Sequence, residues 1–349
     1  MKALTRLPLA LALFAACAFA QEPDALPDYH PKRQVSGTIR SWGNPHMAGV
    51  LQRWQEGFRR YQPQVIFTDT LYSTATAQFG LQEWVADLAV MGRQMWAYET
   101  YGTYRRSLLS PVEVAVTTGS FDTPHQSAAL VVFVHKDNPI SRLTLRQLDG
   151  IFGAERTGGW QGLEWHTEVA RAAAGNIHTW GQLGLTGEWA GRPVHPYGPA
   201  GQAPGGLSFF QTRVLGGADT VSEGLREYPE PKSRMAALER DPCGIAYAGY
   251  RDRTGGVKAL DLAETAAGPY LALSPQSVAA RTYPLTRTTY VYFTIDTKTG
   301  DRRVPRMDPK VEEFLRYILS RQGQADVRQA GGYLPLTPEM VREQWKKIE

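Results

Sequence analysis

Apolar residues along this chain fall into two alternating rhythms. Ser36–Trp42 has the every-other-residue pattern of a strand and stops at Gly43-Asn44-Pro45. Met47, Val50, Leu51, Trp54 and Phe58 then recur at three- and four-residue spacing, which predicts an amphipathic helix that Pro63 ends. Val65-Ile66-Phe67 starts another strand, and Ala86–Met91 and Val112–Val116 are short apolar strands further on. Ala128–Val134 is a continuous apolar run, as expected for a strand covered on both faces. His135–Pro139 turns the chain, and Thr144 opens a helix carrying Leu145, Leu148, Ile151 and Phe152. Val194–Tyr197 reads as a strand, Gly198–Gly206 as a Gly/Pro-rich loop and Leu207–Leu215 as a helix. Gly244–Tyr247 and Tyr290–Phe293 are further strands, and helices around Val311–Leu319 and Pro338–Lys347 close the chain. Strands alternating with helices predict an α/β fold with parallel or mixed sheets. With 349 residues the chain is too long for one ordinary core and suits two lobes of about 100–200 residues each.

Composition narrows the class. Hydrophobic residues make up 42% and charged residues 21%, the profile of a globular protein rather than a disordered tail or a membrane bundle. Lys2 and Arg6 precede the apolar run Leu7–Phe19, and Ala18-Phe19-Ala20 offers small residues for cleavage before Gln21, so residues 1–20 read as a secretory signal peptide. The run is shorter than the roughly 20 residues of a membrane-spanning helix. No later stretch is apolar enough to span, and the mature chain is expected to be soluble in the periplasm. Lipid attachment at Cys17, after Phe14-Ala15-Ala16, is the competing reading, with Phe14 standing where such a site usually has Leu. Either cleavage leaves Cys243 without an internal disulfide partner, and it reads as a small buried hydrophobe. Gln21–Lys32, with Pro23, Pro27 and Pro31, is expected to be an extended leader outside the core. Setting aside Lys2 and Arg6 leaves 36 basic residues of the original 38 against 34 acidic ones. So small an excess gives no reason to expect a nucleic-acid partner.

Several motifs carry a resemblance to a known family. Asp149-Gly-Ile-Phe-Gly153 followed by Trp160, Asp241-Pro-Cys-Gly-Ile-Ala-Tyr-Ala-Gly249, Tyr283-Pro-Leu-Thr-Arg-Thr-Thr-Tyr290, Gln322-Gly-Gln324 and Gly332-Tyr-Leu-Pro-Leu-Thr337 occur in the order found in phosphate-type substrate-binding proteins of ABC transporters. Each motif alone is weak; the ordered set, spanning Ser36 to Thr337, is fairly specific. The resemblance implies a type II periplasmic-binding-protein fold, two α/β lobes joined by a double-crossover hinge. Lobe one would hold residues 35–126 and 286–349, and lobe two residues 127–285. It also implies capture of phosphate or a related oxyanion in the cleft, delivery to an ABC transporter permease by cleft closure, and a monomer without cofactor or metal.

A small anion held without covalent bonds needs backbone N–H groups at helix starts, hydroxyl donors and often an arginine. Asn44 can cap the first helix or contact ligand. Ser73, Thr74 and Thr76 place hydroxyls at another helix start. The loop Tyr197–Ser208 resembles the family's phosphate loop in position but departs from it. Pro199 stands where an Arg is expected and Gly205-Gly206-Leu207 replaces the Ser-Gly-Thr core, leaving Gly205, Gly206 and Ser208 as candidates. Ala86–Arg93 resembles a stretch in which an Asp accepts a hydrogen bond from protonated phosphate and rejects sulfate, which nominates Asp87. Arg93 is expected to pair with Asp87 or to supply positive charge, and Arg287 is a weaker candidate.

Enzymatic readings lack residues. The seven His are scattered, with none at i, i+4 and none in a Cys/His cluster, and there is no Gly-x-Ser-x-Gly elbow or nucleotide-binding Gly-x-x-x-x-Gly-Lys loop. Two alternatives keep the fold. In one, Trp180 and Trp189 among the nine Trp line a wider cleft for an organic solute; in the other, a degraded anion site serves an envelope interaction or sensing protein.

Overall fold

The computed structural model describes residues 26–200, 206–218, 220–295 and 307–349. The signal-peptide segment, Cys17 and Gly205 lie outside these described residues. In chain order the first sheet takes up β1 (Gly37–Gly43), β2 (Val65–Thr70), β3 (Leu88–Met91) and β4 (Val112–Thr118), with helices α1 (Ala48–Arg59), α2 (Thr74–Gln82) and α3 (Ala97–Ser107). A second region holds β5 (Leu130–His135), β6 (Arg142–Thr144), α4 (Leu145–Phe152), β7 (Gly159–Gln161), β8 (Glu164–His166), β9 (His195–Pro199) and α5 (Gly206–Val214). It continues with β10 (Arg226–Tyr228), α6 (Pro231–Leu238), β11 (Gly244–Gly249), β12 (Val257–Ala259), β13 (Asp261–Ala263) and α7 (Pro275–Ala279). The chain then returns as β14 (Thr288–Phe293) and ends in α8 (Pro309–Ile318), α9 (Arg321–Ala330) and α10 (Pro338–Trp345).

The first sheet has the order β2-β1-β3-β14-β4 and the second β10-β9-β11-β5-β12. In the first, β1 runs parallel to β2 and β3, while the returning β14 lies antiparallel between β3 and β4. In the second, β9, β10 and β11 are parallel and β5 is antiparallel to β11. Each sheet has its own core. Trp54 and Phe58 of α1 meet Phe314 and Tyr317 of α8 in one, and Phe152, Phe210 and Tyr247 gather in the other. The strand with no polar face in the sequence, β5, is buried along its first five residues.

The chain passes between the sheets twice, and the two crossings run side by side. Gly119 N–H donates to the Arg287 carbonyl at 2.6 Å, and Leu130 N–H donates to the Leu285 carbonyl at 3.2 Å. Arg251, just beyond β11, clasps this hinge through Asp122: its N–H and Nε reach Oδ1 at 3.1 and 3.2 Å, and Nη2 reaches the carbonyl at 2.7 Å.

Two expectations are corrected by this arrangement. The end of the proline-bearing leader belongs to the first core: Leu26 is 6% and Tyr29 3% exposed. Tyr29 packs on the rings of Phe58, Tyr61 and Tyr317, and its hydroxyl donates to the buried Glu313 at 2.8 Å. Burial of so large an aromatic ring against three others outweighs leaving this segment in water. Cys243 is half-buried rather than enclosed, because it lies in the turn leading into β11, and desolvation raises its thiol pKa. Among the described residues no helix is long and apolar enough to cross a membrane.

Candidate functional site

In open sheets of parallel strands, ligands collect beyond the carboxyl ends of the strands, where loops feed helix starts. On the first sheet that edge is Gly43, Thr70 and Met91, and each of the three leads into a turn rich in donors. After Gly43 comes Asn44, whose Oδ1 accepts from the His46 N–H at 3.0 Å and whose own N–H donates to the Val90 carbonyl at 2.8 Å. A side chain on Gly43 would collide with the Val90 carbonyl, so only glycine lets β1 and β3 end this close together. After Met91 comes Gly92, where a Cβ would land on Asn44 Nδ2 and Ser127 Oγ. After Thr70 comes Ser73, which caps α2 by accepting from the Thr76 N–H at 3.2 Å, while Thr76 Oγ1 donates to the Ser73 carbonyl at 2.8 Å. Thr74 is the first residue of α2 and half-buried. Asn44, Ser73, Thr74 and Thr76 thus share one edge.

The same edge receives residues from the crossings. Ser127, 2% exposed, takes its N–H to the Tyr333 hydroxyl at 3.1 Å, and that hydroxyl donates to the His46 carbonyl. Arg287 is buried there, its Nη2 donating to the Gly92 carbonyl at 2.6 Å. Burial lowers the Arg287 pKa to about 10, and burial together with Arg287 and His125 lowers that of His46. Across the cleft, Phe209 of α5 lies 5.6 Å from the Arg287 guanidinium. Phe209 follows Ser208, which is 1% exposed and whose Oγ has no hydrogen-bond partner among the described residues. Gly206 opens α5 beside it. Through Arg287 and Phe209 the Asn44 edge of one sheet meets the Ser208 end of the other.

Asp87 and Arg93 do not take their expected parts. Asp87 precedes β3, at the amino end of the strand, with about 13 Å of strand between it and the edge at Gly92. Its Oδ1 faces Arg40 Nη2 at 2.9 Å, and its Oδ2 accepts from Arg40 Nε at 3.1 Å and from the Arg40 N–H at 2.8 Å. Burial pushes the carboxyl up, but these hydrogen bonds outweigh it and hold it below the ordinary carboxylate value. Arg93 pairs with Glu99 instead, Nη1 to Oε2 at 2.6 Å and Nη2 to Oε1 at 2.8 Å. Glu99 wins because it lies on the first turn of α3, directly across the loop that carries Arg93. Nor do Trp180 and Trp189 line a cleft. Trp180 is fully buried in the second core with Trp189 against it, while Trp160 and Trp165 form an exposed edge-to-face pair on the β7–β8 hairpin.

Ser127 and Phe209 lie outside the motifs read in the sequence, Gly92 and Tyr333 within motifs that assign them no part, and only the fold brings the four to Asn44. Two surface depressions, of about 510 Å³ beside Leu26–His30 and α10 and about 270 Å³ beside Thr144 and Tyr270, lie away from these edges. We place the site by the strand ends, because that is where amides and hydroxyls converge and where both halves of the chain contribute.

Comparison with known proteins fits this layout. The family model of the PBP superfamily domain matches residues 30–322. The phosphate-binding protein PstS of Pseudomonas aeruginosa is 31% identical over 336 residues, 96% of this chain and 94% of its own length. An ABC-type phosphate transport receptor from Vibrio cholerae superposes with a TM-score of 0.53 at 15% identity, covering 85% of this chain and 100% of the other. PstS from Borrelia burgdorferi does so with 0.50 at 13% identity, covering 86% and 99%. At those identities the two structures speak for the fold.

Proposed function

This chain belongs to the PBP superfamily, in the branch that holds the PstS phosphate-binding proteins, and we propose that it captures phosphate between its two sheets and presents it to an ABC transporter. It is a solute receptor, not an enzyme. The near-full-length likeness to a phosphate-binding protein carries this reading. The chemistry of the strand ends supports it, since amide groups, hydroxyls and a buried arginine are what an oxyanion requires.

In this reading the lobes are residues 35–126 with 286–349, and 127–285, swinging about the paired crossings. The anion sits against Asn44, the α2 start with Ser73, Thr74 and Thr76, and the α5 start with Gly205, Gly206 and Ser208. The protein works as a monomer in the periplasm, exported by residues 1–20. Discrimination against sulfate is not assigned to Asp87, whose oxygens are committed to Arg40.

Isothermal titration of the purified mature protein with phosphate, arsenate, sulfate and a sugar panel tests the proposal. Saturable heat with phosphate or arsenate is expected. Heat with sugars alone, or with none of these solutes, would sink it.

A further inference from the structure

We propose that Arg234 of α6 is a ligand-binding cation on the second lobe, donating to the phosphate oxygens from the side of the cleft opposite Asn44; this rests on the phosphate-binding reading above. Arg234 is 4% exposed, and its Nε and Nη1 are sealed from solvent without a hydrogen-bond partner among the described residues. A guanidinium stays charged at any physiological pH, so a buried one lacking partners is a standing cost to the folded protein. An anion that completes its hydrogen bonds removes that cost and explains why the residue is tolerated.

The surroundings point the same way. Arg234 lies near the start of α6, which comes after the carboxyl end of β10, so it belongs to the edge where this sheet would meet a ligand. Its guanidinium is 5.9 Å from the Tyr247 ring, and that ring stacks on Phe210 at 3.8 Å, almost parallel. Phe210 is two residues beyond Ser208, another buried donor left without a partner among the described residues. Asp252 is within electrostatic reach, yet its Oδ2 accepts from the Gly249 N–H at 3.1 Å and no ion pair with Arg234 forms among the described residues. Asp252 ends the turn whose Arg251 clasps Asp122 of the hinge, and Tyr250 of that turn packs on Phe121 at 5.1 Å. This corner of the second lobe therefore borders the crossings and the cleft.

Phosphate titration calorimetry on the mature protein and on R234Q and R234K tests the assignment. R234Q should bind phosphate about 10- to 100-fold more weakly, the scale of a lost charge-assisted hydrogen bond. R234K should recover several-fold of that loss, and the ligand-free melting temperature of R234Q should equal or exceed that of the unmodified protein. An R234Q affinity within about twofold of the unmodified value, on the scale of a hydrogen bond that was never made, overturns the proposal. So does R234K binding no tighter than R234Q. If R234Q fails to fold, the Arg234 Nε–H resonance of the unmodified protein, assigned by its absence in R234K, decides. Movement on adding inorganic phosphate supports the contact, and no movement at saturation refutes it. Absence of phosphate binding by the unmodified protein itself defeats the functional reading, and this inference with it.

Discussion

Two arginines are hidden to nearly the same degree, Arg93 at 5% exposure beside the first sheet and Arg234 at 4% beside the second, and their surroundings are opposite. Arg93 has Glu99 across both Nη atoms, the Gln94 carbonyl as a third acceptor at 2.9 Å and the Trp96 ring 4.9 Å away, leaving only Nε unmatched. Arg234 has an aromatic neighbour and no carboxylate in contact among the described residues. Burial of a charge therefore says little by itself about ligand binding. A neutralised charge holds a loop in place; one left wanting acceptors is a cost that the anion proposed for Arg234 would offset.

Breaking the first of the pair should have the largest effect. E99A strands Arg93 in the interior and is expected to cost about 3–5 kcal/mol in urea unfolding, the usual consequence of removing one partner of a buried ion pair. A loss under about 1 kcal/mol, the range of an exposed pair, would erase the contrast. The opposite sign is expected for R234M, which removes a desolvated charge while keeping most of the side-chain volume. Ligand-free stability should rise by about 1–3 kcal/mol, and the gain in melting temperature on adding phosphate should shrink.

Smaller effects sharpen the picture at the edges. D87N should cost about 1–2 kcal/mol, limited because Arg40 is 41% exposed and screened by water, and should leave the ratio of phosphate to sulfate affinity unchanged. Because the folded Asp87 pKa is depressed, its contribution is complete above the unfolded value near pH 4 and disappears as pH falls through the lower folded value. The stability gap between the unmodified protein and D87N should therefore close in acid; a gap that widens there contradicts the ion pair. Smallest, S208A should weaken phosphate binding by about 0.5–1.5 kcal/mol in calorimetry without lowering ligand-free stability, since the hydroxyl it removes has no partner to lose.

How much the chain discloses before folding depends on how local the cause is. Met47 to Phe58 spells out α1 because its burial is a stripe at helical spacing, and Thr144 announces α4 because its Oγ1 caps Gln147 N–H at 3.2 Å. Helices α3 and α9 give no such signal: their buried residues include Glu99, Thr100, Thr103, Gly323 and Gln324, polar or small residues chosen by their neighbours. Asn44 and Ser73 are readable as helix caps, which is a local property. Asp87 misleads because a motif supplies an Asp but not the end of the strand on which it stands. Arg234 leaves only a faint trace, a basic residue four positions before Leu238 on the buried side of α6, and nothing nearby reveals that no acid meets it.

Tyr29 has a consequence for how the molecule is held. It docks at the far end of α1, against Phe58 and Tyr61, so a 12-residue helix of about 18 Å separates it from the strand edge at Asn44. Leu26, in the same core, places the start of the described chain at that end of the first lobe. A surface coupled to this end would therefore sit a helix length from the Asn44 edge and leave that edge uncovered.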